Sequence, residues 1–100
     1  MDKENKNTAL FLQLVSTYEM TAMMAMGKIK NPLTDKTEKD LEHARFAIDM
    51  LDMIIEKTRG NLNDDEKRFI QNISSQLKLN FVQEIQNTSE KKEEKKTDNK

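Results

Sequence analysis

A single histidine, His43, stands three residues after Asp40, an offset that puts both side chains on one face of a helix. Carboxylate-bridged di-metal bundles use that offset for their Glu-x-x-His pairs, but they need two such pairs and further inward-facing acids. One chain with 1 His falls short of that count. A dimer would double it, with Glu19 as the added acid, so Glu19, Asp40 and His43 are weak metal candidates only. Asp49, Asp52 and Glu56, at i, i+3 and i+7, could clamp a divalent cation, although a solvated helix face accounts for them as well. Met20, Met23, Met24 and Met26 offer thioethers to a soft ion such as Cu(I). Helical spacing spreads them over several faces, where unbranched methionine serves to fill irregular packing.

Other chemistry is excluded more firmly. The chain has 100 residues, Cys 0 and Gly 2, which removes thiolate ligands, cysteine nucleophiles, disulfides and any glycine-rich phosphate cradle. Seventeen basic residues against eighteen acidic ones give a net charge of −1, so no basic field exists to hold nucleic acid. The serines and threonines have no partnering base at a recognisable spacing. No catalytic residue and no cofactor is expected. Glu19 is the one charge within an apolar stretch, and Arg45 sits mid-helix beside another. We expect them to pair structurally and set register, with Asp49 reachable from Arg45 at i, i+4.

Three helices must position these residues, over about 9–26, 38–59 and 64–86, in an all-α fold. Asn7 or Thr8 would cap the first and Gly27 would end it in a left-handed conformation. Pro32 interrupts the linker, Thr37 would cap the second helix, and Gly60 would follow its end. Asn63-Asp64-Asp65-Glu66 reads as a capping box for the third. Residues 1–7 are polar and expected to fray. The segment 87–100 has no apolar residue and reads as a disordered, solvated tail of mixed charge. One domain, 8–86, remains.

Helix two carries Leu41, Ala44, Ile48, Leu51 and Ile55 at heptad spacing, and helix three carries Phe69, Ile70, Ile73, Leu77, Phe81 and Ile85. The short link between them predicts an antiparallel hairpin. Helix one is apolar nearly all round, more than one hairpin can cover, so we expect it to pack into a homo-oligomeric bundle. Phe11, Leu14, Tyr18, Ala22, Met23 and Ala25 are the expected interface residues. A different protein partner, or peripheral membrane association, is the alternative cover. A membrane span is not expected, because Glu19 lies mid-stretch with neither a basic flank nor an aromatic belt.

The stretches FLQLVSTYEM, NPLT and LEHARFAIDMLDMIIEKTRGNL, with the acid-capped helix after them, resemble domain of unknown function 1844, a family of small bacterial proteins. Ala44-Arg45, Ile48-Asp49, Leu51, Lys57-Thr58 and Gly60-Asn61-Leu62 carry most of the likeness, which runs from Leu10 to about Val82. The resemblance implies a bacterial, cytoplasmic, all-helical protein and implies no activity. Lys57, Thr58, Gly60 and Asn61 form a corner that could contribute to a binding surface. The expectation is therefore a non-enzymatic assembly module; a carboxylate-rich metal-binding or enzymatic bundle is the alternative from another class.

Overall fold

A computed structural model describes residues 2–98, with side chains through residue 88. The protein consists of three helices, α1 (Lys3–Ala25), α2 (Leu41–Lys57) and α3 (Asp64–Asp98), with no strand among the described residues. Two isolated bridges, Met26 to Lys39 and Asn31 to Lys36, fold the α1–α2 connector on itself. No described helix is long and apolar enough to cross a membrane.

The helix bounds follow local hydrogen bonding. α1 begins earlier than residue 9 because Asp2 caps it, its carboxylate accepting from the Asn5 amide at 2.8 Å. It ends in a Schellman arrangement: the Lys28 amide donates to Met23 O at 2.9 Å and the Gly27 amide to Met24 O at 3.0 Å. Gly27 takes φ +76, as its position after the apolar run predicts. α2 is capped by Asp40 and not by Thr37, because Lys39 and Asp40 are held extended just before the helix. The Met26–Lys39 bridge and an Asp40 amide to Ala25 O bond of 2.7 Å tie them to the end of α1. Gly60, at φ +84, turns the chain after α2.

The capping box of α3 is present in full. The Glu66 amide donates to Asn63 Oδ1 at 2.8 Å, and the Asn63 amide donates to Glu66 Oε1 at 2.9 Å. The helix continues past residue 86, where apolar residues stop, through Asp98. No glycine or proline follows Gly60, and Glu, Lys and Gln are good helix formers, so nothing local ends it. Both expected domain limits, at 7 and 87, thus fall inside helices.

Each helix packs against the other two. The core is a stripe from each: Val15, Ala22 and Ala25 from α1, Ala44, Ala47, Ile48, Leu51 and Ile54 from α2, Ile70 and Leu77 from α3, closed at one end by Met26. Phe11, Tyr18 and Met23 on α1 and Phe69, Ile73 and Phe81 on α3 pack around it. Cross-helix contacts keep one order along α1 and α3, where Thr8 meets Glu66 and Lys28 meets Glu84. Along α2 and α3 the order reverses, since Asp52 meets Ser74 and Lys39 meets Glu84.

Candidate functional site

The most strongly perturbed group lies outside every expected site. Glu84 is on α3 seven residues after Leu77, which is seven after Ile70, so it occupies the core-facing position of that helix. Its side chain is 8% exposed and its two oxygens take the two connector lysines, Lys28 at 2.6 Å and Lys39 at 2.7 Å. The hydrogen bonds from Lys28 and then Lys39 outweigh burial and bring its pKa from 4.5 to about 2. It is a clamp: one carboxylate closes the connector onto α3. The spacing Ile70–Leu77–Glu84 is the sequence signal that marks it, hidden because Glu is commonplace on a helix.

A second buried carboxylate, Glu66, closes the opposite end of the bundle. Besides its place in the capping box, its Oε2 accepts from the Thr8 hydroxyl at 2.7 Å, linking α1 to α3. Between these ends, Asp52 Oδ1 accepts from the buried Ser74 hydroxyl at 3.0 Å and from Lys78 at 2.9 Å. These acids hold helices together.

The expected metal candidates have other duties. Asp40 accepts from the His43 amide at 3.1 Å, so the i, i+3 spacing that suggested a ligand pair is that of a helix cap. The His43 ring stacks on Phe46, with centroids 6.2 Å apart. Asp40 and His43 line a cleft of about 200 Å³ with Thr21, Met24, Asn31 and Glu38. Glu19 does not line it. Among the described residues no three His, Asp or Glu side chains converge as a metal site. The structure also separates the expected structural pair. Arg45 is exposed and forms no ion pair with half-buried Glu19 or with Asp49 among the described residues, because the buried Ala44–Ile48 ridge turns it outward.

At the α2–α3 corner, the Thr58 hydroxyl donates to Ile54 O at 2.6 Å and Asn61 donates its amide to Thr58 O at 2.8 Å. Thr58 and Gly60 border a cleft of about 390 Å³ floored by Ile55, Leu62 and Ile70 and rimmed by Arg59 and Lys67. Lys57 is exposed and Asn61 lines a different surface hollow.

The expected interface residues need correction. Ala22 and Ala25 are buried in the chain's own core, and Phe11, Tyr18 and Met23 pack against it. α1 lies against both other helices and spends this face within the chain. Leu14, 44% exposed, is the exception; Leu10, one turn before it, is 58% exposed, and Met20, 56% exposed, lies on another side of the helix. Thr17 and Thr21 share the outer face of Leu10 and Leu14, and each hydroxyl donates at 2.9 Å to a carbonyl of its own helix, Gln13 O and Thr17 O. The face carries no charge between Ala9 and Met26, Glu19 lying off it.

A family model described as Domain of unknown function (DUF1844) matches residues 8–83. No curated protein and no solved structure matches the chain.

Proposed function

The chain belongs to the family of domain of unknown function 1844, and from that premise we propose a non-enzymatic assembly module that works as a homo-oligomer. The observation that carries this reading is the outer face of α1, where exposed Leu10 and Leu14 and two internally bonded threonines form a stripe without charge. Water gains little by hydrating such a face, and a packed helix removes it from water at small polar cost. Further support comes from the acids: Asp40 caps, Glu66 braces and Glu84 clamps, so each is committed to holding the fold. We place the module in the bacterial cytoplasm, a setting that the lack of cysteine suits. In this reading α2 and α3 form an antiparallel hairpin as a rigid support, and α1 lies across it and presents the docking face.

Light scattering on the full chain tests the proposal, with Leu14→Glu as the probe. Leu14 is not in the core, so the variant keeps its helical signal and thermal midpoint while the mass falls to that of one chain. A wild type that is monomeric at high micromolar concentration refutes the homo-oligomer.

A further inference from the structure

The geometry points to a second copy of this chain docking antiparallel on α1, in a twofold seam made by Leu10, Leu14, Thr17, Thr21 and Met24. This rests on the homo-oligomer reading above and specifies its surface and direction. The five residues follow one another at spacings of 4, 3, 4 and 3 along the outer side of α1, which is the heptad pattern of a helix–helix seam. It is separate from the buried face that the same helix gives to its own core, on Val15, Ala22 and Ala25. One helix therefore carries two packing faces, and only one is used within the chain.

α2 widens the surface. His43 shares a cleft with Thr21 and Met24, and from there Phe46, Met50 and Met53 continue along α2 at spacings of 3, 4 and 3. Phe46 and Met53 are exposed at 55% and 41%. A face two helices wide, about 20 Å, and as long as Lys3–Met24, about 31 Å at 1.5 Å per residue, covers about 600 Å² per copy. That is the lower end of what a specific dimer buries.

Charge sets the direction. The seam is neutral, and charged side chains border its two ends. Lys3 and Lys6 are at the start of α1, and Glu38 and Asp40 share a cleft with Met24 at the other end. None of the four makes an ion pair within the chain among the described residues. Parallel docking would set lysines beside lysines and align the helix dipoles. Antiparallel docking brings the lysines of each copy to the acids of the other, at both ends of a twofold axis, and opposes the dipoles.

With Leu10 opposite Thr21 of the other copy, the two copies of Leu10 stand eleven residues apart along the seam, about 16 Å. A disulfide needs Cα atoms within about 7 Å. Because the chain has Cys 0, single-cysteine variants report this directly. Leu10→Cys and a size-tagged Thr21→Cys are mixed, oxidised gently and run on a non-reducing gel, each first checked for native helical signal. The mixed species is expected, with no Leu10→Cys homodimer. Leu10→Cys linking to itself makes the pair parallel and overturns the proposal. No link in any mixture, with light scattering still showing a dimer, moves the interface elsewhere: the direction and surface fail while the homo-oligomer stands. A monomer in light scattering refutes both. Independently, Lys3→Glu with Lys6→Glu should weaken dimerisation about tenfold at low salt, and adding Glu38→Lys should restore much of it. An unchanged dissociation constant refutes the charge pairing that sets the direction.

Discussion

Replacing Glu84 with glutamine should cost this protein a large part of its stability at neutral pH and almost none at pH 2. The carboxylate is nearly buried and its pKa falls from 4.5 to about 2 on folding. A carboxylate whose folded pKa is depressed binds fewer protons in the native state than in the unfolded one. Its stabilisation is complete above the unfolded value and is lost as pH falls through the folded value. The window is thus pH 4.5 down to 2. At about 1.4 kcal/mol per pKa unit, the clamp contributes about 3 kcal/mol at pH 7, roughly half of that near pH 3, and little at pH 2. Lys28 and Lys39 are 37% and 39% exposed, so solvent screens the pair and this figure is an upper bound. Against a total of about 5–15 kcal/mol, such a loss is readily visible, on the order of 10–20 °C in Tm. Urea titrations followed by far-UV circular dichroism, on wild type and Glu84→Gln at pH 7, 3 and 2, measure it. A difference under about 0.5 kcal/mol at pH 7, or one that is equal at pH 7 and pH 2, refutes the clamp.

Three further substitutions test the frame that holds this site. Gly60→Ala should destabilise by about 1 kcal/mol. No atom lies within 4 Å of the added methyl, so the cost is wholly that of a side chain at φ +84, and a neutral urea midpoint would contradict it. Asn63→Ala removes the acceptor for the Glu66 amide and should cost about 1 kcal/mol, seen as a lower urea midpoint at unchanged slope. Ala22→Glu puts a charge at a position with no exposure, so circular dichroism should show an unfolded chain; a folded monomer would mean that this face is free.

Much of this was legible in the sequence where a residue type answers a single local need. Glycines at 27 and 60 mark left-handed turns, and Asn63 with Glu66 marks a helix start, because few other residues satisfy those geometries. The start of α2 was misplaced for a related reason. Thr37 and Asp40 are both good caps, and the choice was made by the connector's pairing with the end of α1, a contact between distant parts of the chain. Glu84 stayed hidden because its partners, Lys28 and Lys39, precede it by most of the domain. α1 misled in another way. Its apolar residues surround the helix, so composition could not say which side faces inward. The side rich in alanine and aromatics went to the core, and a side whose threonines bond their hydroxyls to their own helix stayed outside.

The Glu84 clamp also bears on how the chain acquires its shape. Lys28 lies 84 − 28 = 56 residues before its partner and Lys39 lies 84 − 39 = 45 before it. Contacts so remote must await closure of a long loop, whereas the capping box and the glycine turns form among neighbours. The transition state for folding should therefore hold the local turns and lack the clamp. A loss at Glu84 then falls on the rate of unfolding and leaves the refolding rate nearly untouched. The two lysine contacts act as a latch on the finished bundle, lengthening the lifetime of the native state without hastening its arrival.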